Sequence, residues 1–331
     1  MAKDVRCYLV SRNSDGEVRG NITTIDKSEL PDGDIDISVK YSSLNYKDAL
    51  AAKGHPGVAK SLPHVPGIDA AGVVTVSQDP RVQPGQEVIV TGYELGAGRW
   101  GGWSEMIRVP SDWVVPLPEG LSLRSSMILG TAGFTAAQCV REILRNDLKP
   151  DAGPIVVTGA TGGVGCLAVA ILAQLGFDVV ASTGKKEACD WLLSLGAKEV
   201  ISREAALNDR KRPLASVSYQ GAVDTVGGET LASILRAIDV NGCVAACGLV
   251  GGTDLPTTVY PFILRGVRLA GITSALCPMA ERLSIWDKLA GDWSVKQLED
   301  VVTEIPLDRI SESVDEIYAG SVRGRVLVAV S

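Results

Sequence analysis

The sequence predicts an α/β protein in which a doubly wound parallel sheet is inserted between two parts of a β-rich domain. The chain has 331 residues, of which 46% are hydrophobic, enough for two cores. Residues 1–125 alternate short strand patterns with glycine and proline turns, which indicates the first part of the β-rich domain. Residues 126–272 alternate strands with helices, which predicts the parallel sheet. We expect residues 273–331 to rejoin the first domain.

The parallel sheet is predicted from six apolar runs, each bounded by turn residues or followed by a helical pattern. These runs are 155–158, 179–182, 199–201, 222–225, 243–247 and 267–272. In the tail, the periodicity predicts an amphipathic segment over 280–289, a helix near 308–318 and a final strand over 325–330.

The run GATGGVG at 159–165 directly follows the first of these strands. Its glycines allow a tight turn and a close approach of the backbone to a pyrophosphate, and the next helix offers its N-terminal amides to that anion. The helix pattern over 163–175 carries one apolar stripe and ends at Gly176, before the next strand. This complete β-α-β unit predicts a dinucleotide site, whereas a lone glycine cluster can serve only a tight turn.

The second strand of this unit is followed by residues that favour NADPH over NADH. An NAD-specific site places a carboxylate here for the ribose 2′-hydroxyl, whereas this chain has Thr183, Gly184, Lys185 and Lys186. Hydroxyls and cations suit a 2′-phosphate, which a carboxylate would repel. The alternative is that the two lysines are ordinary solvated charges at the start of a helix.

Composition excludes several classes of protein. The net charge of −7 argues against a general nucleic-acid binder, which needs a basic face. Neither a signal-peptide core nor an apolar run long enough for a membrane span occurs, so we expect a soluble cytoplasmic protein. The odd number of scattered cysteines, 7, fits reduced thiols.

Zinc catalysis is not expected from this sequence. The chain contains only two histidines, His55 and His64, and no Cys-x-x-Cys pair. Cys243 and Cys247 fall inside an apolar strand pattern, where their side chains would face a sheet interior.

Several motifs, in order, resemble the zinc-free medium-chain dehydrogenase/reductase superfamily. They are SSLNYKDAL at 42–50, PGIDAAG at 66–72, GTAGFTA at 130–136 and GGVG at 162–165. Within that superfamily, DTVG at 224–227, CVAACGL at 243–249 and LPTTVYPFILR at 255–265 are similar to the acrylyl-CoA reductase branch, also described as quinone oxidoreductase homologues. Zinc-containing relatives have Gly-His-Glu where this chain has Gly67, Ile68 and Asp69, and a cysteine near Asn45 or Tyr46.

The resemblance covers essentially the whole chain and implies both fold and activity. It implies a GroES-like catalytic domain and a Rossmann-type domain that binds NADPH. The implied reaction is the NADPH-dependent reduction of the carbon-carbon double bond of acrylyl-CoA to propionyl-CoA by a cytoplasmic homodimer. If the nucleotide domain is an insertion, we expect the nicotinamide and the enoyl-CoA substrate in the cleft between the domains.

The resemblance also assigns site residues position by position. Tyr46 matches the tyrosine beside the nicotinamide, Lys185 the 2′-phosphate site and Arg203 an additional cofactor-binding arginine. The implied cofactor-binding set is Tyr46, Thr131, Thr161, Gly162, Gly163, Val164, Thr183, Gly184, Lys185, Arg203, Leu249, Ile263 and Ser274.

The implied reaction needs a hydrogen-bond or proton donor for the enolate that follows hydride transfer, and no metal is expected to supply it. Tyr46 is the first candidate, with Asn45 holding neighbouring groups, although Tyr46 could instead only pack against the cofactor ring. Weaker candidates are Asp48, Asp69 and Tyr93. The cations available for the CoA phosphates are Arg99, Arg265, Arg323 and Arg325, none of which the sequence selects.

Two other functions stay open at this stage. A quinone or a non-CoA enone could accept hydride in the same site. The chain could also be a dinucleotide-binding sensor without physiological catalysis.

Overall fold

The computed structural model describes residues 4–207 and 212–331, in which strands and helices follow the alternating patterns of the sequence. The strands are β1 (Asp4–Arg12), β2 (Val18–Asp26), β3 (Ile35–Leu44), β4 (Asp69–Ser77), β5 (Glu87–Thr91), β6 (Met106–Val109), β7 (Val115–Pro116), β8 (Ile155–Thr158), β9 (Val179–Thr183), β10 (Glu199–Ser202), β11 (Tyr219–Asp224), β12 (Ile238–Ala246), β13 (Arg268–Gly271), β14 (Val302–Pro306) and β15 (Arg325–Ala329). The helices are α1 (Tyr46–Ala52), α2 (Leu123–Arg145), α3 (Gly163–Gln174), α4 (Cys189–Ser194), α5 (Gly228–Ala237), α6 (Tyr260–Arg265), α7 (Met279–Ala290) and α8 (Ile310–Tyr318).

The first unit contains the chain up to Thr131, Ala275–Ala290 and Leu298–Ser331. Its main sheet has the strand order β14-β15-β3-β4-β5-β7, with β6 also paired to β3, and β1 and β2 form a separate antiparallel pair. The last strand, β15, is antiparallel to β3. Ile35, Ile37 and Val39 in the first half of β3 are buried in the core, so this part of the strand contributes one face to it.

The second unit contains Ala132–Ser274 and Gly291–Gln297. Its six strands are all parallel, in the order β10-β9-β8-β11-β12-β13. The strand order reverses between β8 and β11, and ligands of such sheets bind outside the carboxyl ends of the strands at this switch point. Every residue of β8 is buried, as expected for a central parallel strand. The predicted fold class is confirmed.

The limits of the two units differ by a few residues from those drawn from the sequence. The units divide at Thr131 and Ala132, not at residue 126, because α2 runs across the boundary and only its kink at Gly130 marks it. The chain returns to the first unit at Ala275 rather than 273, and Gly291–Gln297 belongs to the second unit although the sequence assigned 273–331 to the first domain. Trp293 in that segment is buried, which explains why it is anchored.

Two strands of the parallel sheet begin earlier than predicted. β11 starts at Tyr219 rather than 222, and β12 starts at Ile238 rather than 243. The polar residues and the positive φ of 58° at Asn241 hide the start of β12 from an apolar pattern. Cys247 therefore lies just after the strand, not inside it, whereas Cys243 is buried within it.

Candidate functional site

The loop between β8 and α3 has the shape that a phosphate-binding turn requires. Gly159 has φ +59°, and a Cβ there would lie 2.3 Å from Thr225 Oγ1. A Cβ at Gly165 would lie 2.3 Å from the carbonyl oxygen of Gly159, so α3 packs on the loop only with glycine at that position. Gly162 is the N-cap of α3, and the first amides of a helix have no acceptor within the helix. Gly162, Gly163 and Val164 thus present the positive end of α3.

The switch point between β8 and β11 is fixed by side chains to which the sequence gave no role. Thr158 Oγ1 donates to Asp224 Oδ1 at 2.7 Å, and the amide of Gly227 donates to Asp224 Oδ2 at 2.8 Å. Thr225 Oγ1 donates to the carbonyl oxygen of Thr158 at 2.9 Å. Burial of Asp224 raises its pKa. The motif at 224–227 could have signalled this role, since its carboxylate follows a buried strand directly.

The end of β9 brings together hydroxyl groups and cations. The hydroxyl oxygens of Thr161 and Thr183 lie 3.3 Å apart, and the amide of Lys185 donates to Thr183 Oγ1 at 3.0 Å. A Cβ at Gly184 would lie 3.0 Å from Arg203 Nη2, so the guanidinium of Arg203 lies directly beside Gly184. Both the backbone of Gly184 and the side chain of Arg203 are exposed.

These two groups fit a dinucleotide that carries a 2′-phosphate. The helix end and the glycine loop can hold a pyrophosphate, and the strand end offers the lysine and arginine that a phosphate monoester needs. The segment 182–186 that follows β9 contains no carboxylate. The cofactor would therefore supply a hydride-carrying nicotinamide, with its phosphates held by Thr161, Gly162, Gly163 and Arg203.

Three further residues that the resemblance implies for cofactor binding lie in different parts of the second unit. Leu249 follows β12 and is 61% exposed, and its loop contacts the switch point because the amide of Gly251 donates to the carbonyl of Val226 at 2.7 Å. Ser274 is half-buried at the end of the second unit. Ile263 is 68% exposed on α6, a helix whose main contacts are with β12. The structure thus brings Leu249, but not Ile263, to the loops at the switch point.

In the first unit, the carboxylate of Asp69 is the centre of a buried polar cluster. Ser43 Oγ donates to Asp69 Oδ2 at 2.5 Å, and Asn45 Nδ2 donates to the same oxygen at 2.9 Å. Thr131 Oγ1 donates to Asp69 Oδ1 at 2.5 Å, and the amide of Thr131 lies 3.0 and 2.9 Å from Oδ1 and Oδ2. Asp69 has no exposed surface. We call Ser43, Asn45, Asp69, Thr131 and Arg325 the Asp69 cluster.

Asp48 holds the first turn of α1 against the loop before β4. Its Oδ2 accepts the amide of Asn45 at 2.8 Å and Asn45 Nδ2 at 3.0 Å, and its Oδ1 accepts the amides of Gly67 and Ile68 at 3.2 and 2.7 Å. Complete burial and the nearby charge of Asp69 raise the pKa of Asp48 to about 7. Asp48 and Asp69 thus both accept hydrogen bonds from the side-chain NH2 group of Asn45.

Arg325 completes the cluster from the start of β15. Its Nη1 donates to Asn45 Oδ1 at 3.1 Å and its Nε to the carbonyl of Ile128 at 2.8 Å, and only 3% of the residue is exposed. A Cβ at Gly130 would lie 2.6 Å from Asp69 Oδ2 and 2.9 Å from Arg325 Nη2. The sequence offers this arginine as one of four candidates for the CoA phosphates, whereas the structure buries it.

Tyr46 is the first residue of α1 and is 41% exposed. Its ring is stacked on that of Tyr318 in α8, with centroids 6.3 Å apart and an interplanar angle of 10°. Asn45, immediately before it, is half-buried, and both polar atoms of its side chain have partners. The structure therefore engages both ends of the Asn45 side-chain amide and leaves part of the Tyr46 side chain exposed.

The other candidates from the sequence have structural partners. Tyr93 has φ +51°, its ring is stacked on Trp113 at 5.2 Å, and the guanidinium of Arg282 lies 4.6 Å from its centroid. Arg265 donates to the backbone carbonyls of Arg236, Ile238 and Ala215. Arg99 bonds the carbonyl of Asp32 and lies over Trp113. Arg323 is exposed.

Three global features bear on function. Over residues 4–207 and 212–331, no group of three or more His, Cys, Asp or Glu side chains lies close enough to hold a metal ion. None of the seven cysteines, all within those residues, forms a disulfide. In the same part of the chain, no helix has the length and apolar character required to cross a membrane.

The fold and the site define an oxidoreductase built from two units, one with a dinucleotide-binding sheet. Family models match residues 31–119 as an alcohol dehydrogenase GroES-like domain and residues 163–286 as a zinc-binding dehydrogenase. The chain belongs to the medium-chain dehydrogenase/reductase superfamily, as its motifs indicated.

Relatives match almost the whole chain. It is 48% identical to the putative quinone oxidoreductase YhfP of Bacillus subtilis, over 96% of both chains. It is 45% identical to the probable acrylyl-CoA reductase AcuI of Escherichia coli, over 98% of this chain and 99% of that protein.

Solved structures of related proteins also match almost the whole chain. The yhdH oxidoreductase of Salmonella enterica in complex with NADP has a TM-score of 0.96 at 44% identity, over 98% of this chain and 100% of that chain. The Bacillus subtilis protein yhfP with NAD bound has a TM-score of 0.96 at 47% identity, over 99% of this chain and 100% of that chain.

Proposed function

We propose that this protein reduces the carbon-carbon double bond of acrylyl-CoA, or of a similarly short 2-enoyl-CoA, to the saturated thioester at the expense of NADPH. The observation that carries the choice of cofactor is the guanidinium of Arg203 beside Gly184, next to Lys185, where an NAD-specific site has a carboxylate. The relative named acrylyl-CoA reductase supports the choice of substrate.

The reaction adds two hydrogens across the double bond. When bound, NADPH would supply a hydride to the β-carbon, which would place the electron pair of the double bond on the α-carbon and the thioester oxygen as an enolate. A proton then has to reach the α-carbon. The protein has to stabilise the enolate oxygen and deliver or orient that proton.

We assign the donor role to Tyr46. The residue is 41% exposed at the first position of α1, and a phenol can donate a hydrogen bond to an enolate of comparable or higher basicity. Asp48 and Asp69 are poor candidates because all their described bonds are accepted from N–H and O–H donors. Asn45 acts by position, because its bonds to Asp48, Asp69 and Arg325 hold the backbone immediately before Tyr46.

The proposed reaction uses no zinc. Ile68 stands where zinc-containing relatives have histidine, and its buried side chain has no donor atom. Their cysteine falls near Asn45 or Tyr46, and Asn45 bonds Asp69 and Arg325 through both ends of its side-chain amide. These two positions support a reaction that does not depend on zinc.

A quinone is the second candidate substrate, favoured by the relative named putative quinone oxidoreductase. A single assay discriminates: NADPH oxidation followed at matched concentrations of acrylyl-CoA, crotonyl-CoA and a small benzoquinone. Our proposal expects the highest kcat/KM with acrylyl-CoA. A strong preference for the quinone would contradict the proposal and make quinone reduction the favoured function. NADPH binding without turnover of any of the three substrates would favour a non-catalytic sensor.

We also propose that the protein works as a homodimer in the cytoplasm. β13 is the outer strand of the parallel sheet within the described residues, and exposed apolar side chains lie just before it at Val259, Ile263 and Leu264. A second copy would cover them. Light scattering coupled to size exclusion should give twice the chain mass of 34.8 kDa. The mass of a single chain would contradict the proposed homodimer.

A further inference from the structure

Two cysteine side chains meet inside the second unit, next to the switch point. Cys139 lies on α2 and has no exposed surface, whereas Cys247 directly follows β12 and is half-buried. The thiol of Cys139 is hydrogen-bonded to that of Cys247, and Cys247 Sγ lies 3.5 Å from the carbonyl oxygen of Asp224. All three residues belong to the second unit. The two thiols are thus neighbours within one unit, one on a fully buried residue and one on a partly exposed residue.

The part of α2 that carries Cys139 is also held against the parallel sheet at two other places. Cys243 Sγ lies 3.9 Å from the carbonyl oxygen of Glu142, which follows Cys139 by about one helical turn. Gln138 Nε2 donates to the carbonyl oxygen of Thr273 at 3.3 Å. The position of Cys139 beside the end of β12 is therefore fixed by packing on both sides of it.

The two thiols differ in their readiness to react. The hydrogen bond to Cys247, followed by burial, raises the pKa of the Cys139 thiol well above its ordinary value. Cys139 therefore keeps its proton and can donate its S–H to the sulfur of Cys247. Because the thiolate is the nucleophilic form and such a hydrogen bond stabilises a thiolate, Cys247 is the thiol that reacts first. Its partial exposure favours the same order.

We propose that Cys247 and Cys139 are a redox pair, which a hydroperoxide converts to a disulfide that weakens dinucleotide binding. Hydrogen peroxide oxidises Cys247 to a sulfenic acid: an S–O bond forms, the O–O bond breaks and one water leaves. Cys139 then attacks this sulfur, so that an S–S bond forms, the S–O bond breaks and a second water leaves with the thiol proton. The peroxide takes up the two electrons that the thiols lose, and a dithiol reductant reverses the reaction.

The disulfide acts on the dinucleotide site through the loops that Cys247 joins. The amide and the thiol of Cys247 both donate to the carbonyl oxygen of Asp224, at 2.9 and 3.5 Å, and the carboxylate of Asp224 accepts the amide of Gly227. A Cβ at Gly248 would lie 2.1 Å from the carbonyl oxygen of Thr225, so these loops are closely packed. The disulfide removes the thiol donor from Asp224 and draws Cys247 towards α2, because an S–S bond of about 2.05 Å is shorter than any non-bonded contact. The effect on NADPH rests on the proposed function.

The first test asks which cysteines form the disulfide. The purified protein is treated with hydrogen peroxide, its remaining thiols are blocked with N-ethylmaleimide, and it is digested without reductant. Mass spectrometry should detect a peptide pair joined through Cys139 and Cys247, which dithiothreitol separates. Cys247→Ser should abolish this pair, and in Cys139→Ala dimedone should trap the sulfenic acid on Cys247. Cys189→Ser, at the other half-buried cysteine of the unit, should leave the disulfide unchanged.

The second test measures the dissociation constant of NADPH by fluorescence for the reduced and the oxidised protein. Oxidation should weaken NADPH binding about 3- to 10-fold, the effect of a lost hydrogen bond beside the cofactor loops, and dithiothreitol should restore it. In Cys247→Ser, peroxide should leave the dissociation constant unchanged. In Cys189→Ser, it should weaken binding as in the wild type.

Thiols that stay free after peroxide treatment, irreversible oxidation of Cys247 with Cys139 still free, or a disulfide of either residue with another cysteine would overturn the proposal. A disulfide between Cys139 and Cys247 with unchanged affinity for NADPH would refute the link to the dinucleotide site. A reduced wild type that does not bind NADPH would instead refute the proposed function, while the mass spectrum still decides on the disulfide, so the two failures are distinguishable.

Discussion

Arg325 donates a hydrogen bond from Nη1 to Asn45 Oδ1 at 3.1 Å, which joins the start of the last strand to the residue before the first helix. The guanidinium is almost fully buried and also bonds the carbonyl of Ile128. Since Asn45 in turn bonds Asp69, residues far apart in the sequence hold one another in place. The geometry of the candidate site therefore depends on the C-terminal part of the chain.

Arg325→Met should lower the free energy of unfolding by about 2–4 kcal/mol. The substitution removes both described bonds of a side chain that is almost fully buried. Urea unfolding followed by fluorescence measures the loss. Arg323→Met, at an exposed position two residues earlier, should change stability by less than about 0.5 kcal/mol. Similar losses in both variants would argue against the buried network.

Gly130→Ala should destabilise the protein by more than about 2 kcal/mol, because the new methyl group would meet Asp69 Oδ2 at 2.6 Å and the backbone has φ +50°. Gly16→Ala isolates the conformational part of this cost. Gly16 has φ +85° with no atom within 4 Å of a Cβ, so we expect a loss of only about 1 kcal/mol. A loss at Gly130 no larger than at Gly16 would contradict the close packing.

The pKa of Asp48, raised to about 7 by burial and then by Asp69, predicts an unusual pH dependence. The folded state binds this proton more tightly than the unfolded state, whose carboxyl has a pKa near 3.8. The contribution of Asp48 to stability is therefore full below about pH 4 and is lost as the pH rises through about 7, by up to about 1.4 kcal/mol per pH unit.

The measurement for Asp48 is the difference in free energy of unfolding between the wild type and Asp48→Asn from pH 4 to pH 8. The advantage of the wild type should fall as the pH rises. Asp36→Asn serves as the opposite case. Burial works to raise the pKa of Asp36, but the bonds from Arg108 and Lys27 outweigh it and lower the pKa. Its stabilisation is thus lost only in acid. A flat difference for Asp48 would refute the prediction.

Lys185→Ala and Arg203→Ala should each raise the KM for NADPH about tenfold and change the KM for NADH much less, because only NADPH carries the 2′-phosphate. Steady-state kinetics with both cofactors gives the ratio. Lys198→Ala, an exposed lysine of the same unit that pairs with Asp178, is the matched control. Equal effects on NADPH and NADH would show that these cations do not contact the 2′-phosphate.

Tyr46→Phe should lower kcat with acrylyl-CoA by at least about tenfold while the KM for NADPH stays close to the wild-type value. Phenylalanine keeps the ring stacked on Tyr318 and removes only the hydroxyl group. Tyr318→Leu, which removes the stacking partner and leaves the hydroxyl of Tyr46, is the complementary variant. Wild-type turnover in Tyr46→Phe would limit Tyr46 to packing.

The parallel sheet and its glycine loop could be predicted from the sequence because local patterns encode them. The strand 155–158, the helix after it and the turn at Gly176 each follow from apolar periodicity and from the backbone freedom of glycine. Lys185 could be assigned for the same reason, since it follows a predicted strand, whereas Arg203 was implied only by the resemblance to the family.

The Asp69 cluster could not be predicted because its bonds join distant segments. Arg325 looks like an available surface cation in the sequence, and only the pairing of β15 with β3 brings it to Asn45. The hydrogen bond from Thr158 to Asp224 could not be predicted either, because the two residues come together only when β8 and β11 pair. Long-range pairing is fixed by the packing of the whole sheet, which no local pattern contains.

The most direct test of the central claim uses NADPH labelled with deuterium at C4, prepared separately with the label on each face of the ring. The protein is incubated with acrylyl-CoA and the product is analysed by mass spectrometry and NMR. Our account predicts propionyl-CoA with one deuterium on the β-carbon from one of the two labelled cofactors and none from the other. Unlabelled product from both, or deuterium on the α-carbon, would contradict it.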